Sequence, residues 1–524
     1  MDKILNTLKE KFEKNRSQIL FCLISTFIVG MITHGYMFLQ DAVSHDSLNE
    51  FYGYNDWKVQ LGRFITPLYK TLTRGNMTLP WLIGLYSLLW LGLTVFFTVK
   101  IFNVKSKIFT VMIAGIYVAN IAVISTTATY IHDLDCYMFS LLLAVIAIYL
   151  WNRYPEGSLF AIPVVAVSMG LYQSYLSVML TLIVFVLVLN LLSGARFKQI
   201  FYKGLKSVGM LFAGGVLYFV TFKTVLAITG LTELTDTYNS VGNMFGMSMA
   251  DRVETFREAY TVAFDRMFCP VSTLGIFVTV LTAALVIAAI VLIVRKMIRK
   301  QMGISEIALT VALIAVLPLF MNVTRFLSGY SHDLMHFAVW LIYLFVLLLV
   351  YHEYTEQPRR GKKASVVTAK TFCKMLSLLF VFIILSSNVV LANQAYIKKD
   401  MEEDANLSFF TRVLDRMEQV EEYDHNKTPV VFVGRPESFP KGTASNGFEA
   451  ASELLWGEDP LVIGSLYPER YQKYFYYKLH CTIRVLPHEK AREYQYMDAV
   501  KEMPSFPKAG SVAMLDGVLV VKFS

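Results

Sequence analysis

The sequence predicts an all-α polytopic membrane protein of about eleven transmembrane helices, followed by a small C-terminal extracytoplasmic α/β domain. Three observations predict it. Of the 524 residues, 55% are apolar and 17% charged, where a soluble chain carries about 25% charge; the mean hydropathy is +0.49. The apolar residues fall in runs of about 20, the length a helix needs to cross roughly 30 Å of hydrocarbon. Beyond residue 394 these runs stop and the composition turns soluble.

In chain order, residues 1–17 form a basic N-terminus. Eleven spans follow within 18–393, near 18–38, 80–99, 108–127, 137–151, 159–171, 175–193, 208–229, 273–294, 306–321, 335–352 and 375–393. The fifth is short, and Tyr172-Gln173-Ser174 after it reads as a tight turn or a re-entrant tip. Connections on one side hold 23 Lys/Arg in 79 residues, and those on the other hold 8 in 109. Cytoplasmic loops carry the Lys/Arg excess, so the N-terminus is expected inside and the domain 394–524 outside. No small-residue cleavage site follows the first apolar run, which therefore reads as a retained anchor.

The +8 net charge sits mostly in short loops, so it reports orientation and argues against a nucleic-acid partner. The five cysteines show neither paired nor metal-ligand spacing. In the loop 230–272, Val253, Phe256, Tyr260, Phe264 and Met267 recur at helical spacing among charges. That pattern suits a helix on the membrane surface, or an ordinary helix of a folded loop. In the soluble part, 429–434, 482–486 and 518–521 read as buried strands. The strand ending at Gly434 lacks the later glycines of a dinucleotide fingerprint. This domain is expected to bind an acceptor or to act as a structural cap.

Three His-Asp pairs, His45-Asp46, His132-Asp133 and His332-Asp333, occupy three connections that the charge rule places on one side. Ionisable residues held beside a bilayer are costly and mark function by default. Asp46, within Ser44-His45-Asp46-Ser47, is the first candidate for a general base, with Asp41 second and His45 beside them; a partly desolvated carboxylate has a raised pKa suited to that role. The other reading is that these acids solvate a loop. Asp133-Leu134-Asp135 offers hard oxygens for a divalent cation or a solvated turn; no metal is favoured. Arg325, Tyr330, His332, Asp333 and His336 cluster at the mouth of the tenth span. Arg325 suits bidentate grip of a phosphate, or pairs with a neighbouring acid. Arg63 and Lys223 are further cation candidates. Tyr172, Gln173 and Tyr175 either hydrogen-bond a sugar or anchor the interface, and the second reading leads. Together, carboxylates, imidazoles, cations and aromatics on one face suit an anionic lipid head carrying a sugar.

Four stretches carry a resemblance: Ser44-His45-Asp46-Ser47-Leu48, Leu61-Gly62-Arg63-Phe64, Ile131-His132-Asp133, and Arg325 through Asp333. On them the chain, from about Thr33 to Asn393, resembles the bacterial O-antigen glucosyltransferase type II family within the GT-C class. The resemblance implies a polyprenyl-phosphate-linked hexose donor, usually glucose. It implies transfer on the outer face of the bacterial cytoplasmic membrane to a lipid-linked or surface glycan. It also implies a base in the first external loop, Asp46 or Asp41 here, and chemistry without a metal. A polysaccharide polymerase or ligase shares this chemistry, and a lipid-linked oligosaccharide flippase is the alternative from another class. A transporter favours charges deep within spans and internal symmetry; here charges gather at one interface.

Overall fold

The computed structural model describes residues 2–41, 47–48, 56–235, 242, 247–355, 364–436, 448–455 and 469–524. Helix α1 (Asp2–Phe38) leads into two short helices, α2 (Asp56–Gln60) and α3 (Thr66–Arg74). The membrane bundle continues with α4 (Pro80–Ile101), α5 (Lys107–Val118), α6 (Ile121–Thr129), α7 (Ile131–Arg153) and α8 (Gly157–Leu171). After a 3-10 turn at Gln173–Tyr175 come α9 (Leu176–Leu192) and α10 (Phe197–Thr229). Helix α4 lies between α1 and α7, and α8 between α7 and α10. Glycines let α1 and α4 approach closely: a Cβ on Gly84 would sit 2.4 Å from the Phe38 ring, and one on Gly92 2.7 Å from Leu23. Small residues do this in membranes, where lipid offers no hydrophobic drive for helices to associate.

Among the described residues, nine helices are long and apolar enough to cross a membrane, or ten if α5 and α6, bent by 43°, form one span. The sequence reading had eleven. The third expected span breaks at Asn120, whose side chain accepts from Ala122 N (3.0 Å) to cap α6 and donates to Phe337 O (3.2 Å). The fifth is the 15-residue α8, about 22 Å long and short of a full bilayer core.

Helix α11 (Met249–Phe268) follows, then α12 (Ile276–Arg299), α13 (Ile304–Met321), α14 (Val323–Ser328) and α15 (Ile342–Thr355). Helix α11 buries Thr255, Ala259, Ala263 and Met267, one stripe at four-residue spacing, while Val253, Phe256 and Phe264 are exposed. Its Arg252 donates to Phe326 O (2.9 Å) and Leu327 O (3.2 Å) at the carboxyl end of α14. Those carbonyls lack partners within the helix, so the cation holds α11 to α14.

The 55-residue helix α16 (Ala364–Glu418) runs through position 394 unbroken and spans about 80 Å. It is tied to α1 by His34 Nδ1 and Tyr396 OH (2.6 Å) and by Tyr36 OH donating to Asp400 Oδ2 (2.6 Å). Its far end enters a sheet domain. Strands β1 (Pro429–Val433), β2 (Arg484–Val485), β3 (Val512–Leu515) and β4 (Val518–Lys522) lie in the order β2-β1-β4-β3, with only β3 and β4 antiparallel. β3 was not among the expected strands. It pairs through Asp516-Gly517, both at positive φ (51° and 77°), the dipeptide that favours a tight hairpin. Val430 and Phe432 face one cluster with Phe410, Val413 and Met417 of α16; Val431 and Val433 face another with Ala491 and Val500. A sheet covered on both faces explains the continuous apolar run of β1. Leu48, from the connection after α1, is buried in the first cluster beside Phe410 and Tyr471.

Candidate functional site

The connection between α1 and α4 folds back into the bundle. Gly62, at φ 79°, supplies the left-handed turn between α2 and α3 that a side chain would disfavour. Lys70 and Arg74 then fall one helical turn apart on α3, facing the first turn of α7. There Asp133 is bound by Lys58 and by Lys70 (2.6 Å), and all three side chains are buried. Arg74 forks onto Asp135, Nε to Oδ2 at 3.1 Å and Nη2 to Oδ1 at 3.2 Å, and donates to His132 O (2.6 Å). Tyr137 donates to Asp133 Oδ2 (3.2 Å) and accepts from Arg63 Nη1 (2.9 Å). Arg63 also lies 5.1 Å from the ring centre of Tyr172, which stacks on Tyr137 at 3.9 Å.

Buried charges persist only when paired and hydrogen-bonded, and this network supplies that pairing. The two carboxylates that suggested a divalent-cation site are engaged by Lys58, Lys70 and Arg74. Among the described residues, no group of three or more His, Cys, Asp and Glu is placed to hold a metal ion.

Next to this network lies a cavity of about 390 Å³ lined by Ser125, Thr129, Tyr130, Arg266, residues 330–334, Glu453 and Leu454. Such a volume is typical of small-molecule sites. Its charged centre is Arg266, on the last turn of α11, whose Nε lies 2.9 Å from Asp333 Oδ1. His336 Nδ1 lies 3.5 Å from the same oxygen, and His336 Nε2 bonds Ser331 Oγ (2.9 Å). Tyr330 and His332 share a hydrogen bond of 3.2 Å and meet edge to face. Burial pushes the Asp333 pKa up, but the His336 hydrogen bond and the Arg266 charge outweigh it and hold the carboxyl below its ordinary value. Burial pushes His332 down to about 4, with Asp333 opposing and His336 and Arg63 assisting. His332 is thus neutral at pH 7, and Arg63 links the cavity electrostatically to the buried network. Tyr130 joins them again: it lines the cavity and its ring lies 5.8 Å from that of His132.

The remaining expected residues divide. Asp41 is exposed and pairs with Lys478 of the sheet domain (3.1 Å), which also takes its backbone oxygen (2.9 Å). His45 and Asp46 lie outside the described residues. Arg325 pairs with Glu258 (2.9 Å), the second of its two readings, under the Tyr330 ring. Gln173 donates to Leu61 O (2.9 Å) and Tyr218 OH (3.0 Å), pinning the α8–α9 turn to the α2–α3 connection and to α10. Tyr175 is buried edge-on to Tyr172 and Phe337. Lys223 pairs with Glu233 and lies over Phe219 and Phe222, away from the cavity. The sequence reading missed Lys58, Lys70, Arg74, Arg266 and Glu453 as site residues. The four-residue step from Lys70 to Arg74 was the one local clue.

Nine long apolar helices among the described residues give the chain the build of a polytopic membrane protein, and a charged, aromatic-lined cavity lies among the segments that join them. The chain belongs to the glucosyl transferase GtrII family, whose model matches residues 35–349. The match takes in the α2–α3 connection, the buried network and the cavity residues of α6, α11 and 330–334, and ends within α15. No curated protein and no solved structure matches the chain.

Proposed function

We propose that this protein transfers a hexose, glucose by its family, from a polyprenyl-phosphate-linked donor to a cell-envelope polysaccharide or lipid-linked glycan. The reaction belongs on the external face of the bacterial cytoplasmic membrane, in a GT-C-like arrangement. The observation that carries this reading is the cavity built around Arg266, Asp333, Tyr330 and neutral His332. It opens at the end of the bundle whose connections are poor in Lys and Arg, the side the charge rule puts outside.

An acceptor hydroxyl oxygen attacks C1 of the donor sugar, and the bond from C1 to the phosphate oxygen breaks with its electrons staying on the phosphate. Arg266 is placed to stabilise that developing charge, an effect worth about 10²–10³ in rate for a single well-aimed donor. The acceptor proton goes to a carboxylate of the first external loop, which by the resemblance is Asp46 or Asp41. A membrane-anchored sugar phosphate also explains how such a site works without a nucleotide-binding loop.

The test is transfer in isolated membranes supplied with radiolabelled polyprenyl-phosphate-glucose. Label should reach a polymer or lipid-linked glycan with wild type and be lost with Arg266→Ala at matched expression. Folded protein that transfers from neither glucose nor other hexose donors would move the assignment to the flippase.

A further inference from the structure

The cavity wall has two origins. Ser125, Thr129, Tyr130, Arg266 and residues 330–334 lie within the stretch shared with the family, whereas Glu453 and Leu454 lie beyond it. These two are set against the bundle by a short anchored segment. Ala451, Leu454 and Leu455 are buried in the core of the membrane helices, and Lys398 of α16 donates to Ser452 Oγ. Glu453 is thereby held over the cavity by its neighbours on both sides.

The two carboxylates of the wall differ in state. Asp333 is taken by Arg266 and His336. Glu453 makes no ion pair among the described residues and is exposed to the cavity mouth. An ionised carboxylate accepts hydrogen bonds only, and one without a cation partner suits adjacent hydroxyls of a sugar ring. The rings of Tyr130 and Tyr330 offer flat faces for the apolar side of such a ring. The same charge repels an acidic sugar residue set directly against it, which is selection by exclusion.

We infer that Glu453 and Leu454 form the acceptor subsite of this cavity and that it takes a neutral, hydroxyl-bearing sugar residue in preference to an acidic one. The inference rests on the glycosyl-transfer reading above. Arg266, the group suited to the donor phosphate, lies on the wall built by the membrane helices and their connections, and Glu453 and Leu454 come from the separate segment after α16, which leaves their side of the cavity for the acceptor. Glu453 is a specificity residue here, with no role in breaking the donor bond.

The experiment uses the full chain in membranes, polyprenyl-phosphate-glucose as donor, and two polyprenyl-diphosphate-linked probes that differ only in the sugar: an uncharged dihexose (the neutral probe) and its uronic-acid counterpart (the acidic probe). Wild type should favour the neutral probe. Glu453→Ala should raise the KM for that probe about tenfold or more, the scale of a hydrogen bond to a charged group, with the donor KM and thermal unfolding unchanged. Glu453→Gln should fall between them, and Glu453→Lys should shift preference toward the acidic probe. An unmoved acceptor KM in Glu453→Ala, equal use of both probes by wild type, or a matching rise in donor KM would overturn the subsite while leaving the transferase reading intact. No transfer by wild type to either probe or to native membrane glycans would overturn the transferase reading and the subsite together.

Discussion

Arg266 Nε lies 2.9 Å from Asp333 Oδ1, joining the last turn of α11 to the stretch that leads into α15. Asp333 keeps Arg266 oriented, and the His336 hydrogen bond together with the Arg266 charge holds the Asp333 carboxyl below its ordinary value. A guanidinium presented this way is preorganised, and in the proposed reaction it would meet the leaving phosphate without rearranging.

Replacing Arg266 by Ala should lower kcat by about 10²–10³, and Arg266→Lys should recover only part of it, because an ammonium lacks the planar fork. Asp333→Asn should cost less than Arg266→Ala, since it frees the cation without removing it. Initial rates at saturating donor check the order.

The His332 ring predicts a pH effect on stability. Its folded value, about 4, lies below the ordinary 6.5, so its contribution is complete above pH 6.5 and is lost as pH falls toward 4. Asp333 is held below its ordinary 3.8, so its contribution persists through that window and fades only at lower pH. Between pH 7 and 4.5 the melting temperature of wild type should therefore fall more than that of His332→Gln. Equal slopes would refute the assignment.

Asp133→Asn should destabilise the fold by about 3–5 kcal/mol, because Lys58 and Lys70 would be left buried around a neutral amide. Arg74→Met should do the same by stranding Asp135. Thermal unfolding of purified protein in detergent measures both, and a loss below 1 kcal/mol would show the network to be wetter than the structure has it.

Leu48→Ala should cost about 2–5 kcal/mol locally and loosen the connection after α1 from the sheet domain. Hydrogen exchange at β1 and β4 reads this directly: protection should fall there and stay constant in α4 and α7. Since Leu48 lies two residues from Asp46, the same variant should also slow transfer if Asp46 is the base.

The charged clusters were legible as candidates because charge beside a bilayer is rare. Their pairing was not. Lys58 meets Asp133 across 75 residues and Arg74 meets Asp135 across 61, and no local pattern announces a contact at that range. Arg325 shows the same limit from the other side: both a phosphate grip and an ion pair fitted its sequence, and Glu258, 67 residues away, took it. The hairpin at Asp516-Gly517 was a local signal available to reading, and it fixes β3 against β4. Glu453 carried no local signal, since its meaning comes from the cavity it faces.

By itself the sequence determined that long apolar helices dominate the chain, though it read eleven spans where nine or ten helices among the described residues are long enough to cross a membrane, along with the crowding of acids, imidazoles and cations into a few connections, the tail with its β1, β2 and β4 strands, and the resemblance to the family. These follow from hydropathy, charge and short motifs, which act over one or two turns of chain. Only the tertiary structure decided that the α2–α3 cations neutralise Asp133 and Asp135, that Arg266 and Asp333 share a cavity, and that the C-terminal domain grips Leu48 and Asp41 while Glu453 lines that cavity. Each joins residues far apart in sequence, and burial alone makes their proximity matter, because a charge out of water must find its partner wherever the fold brings one.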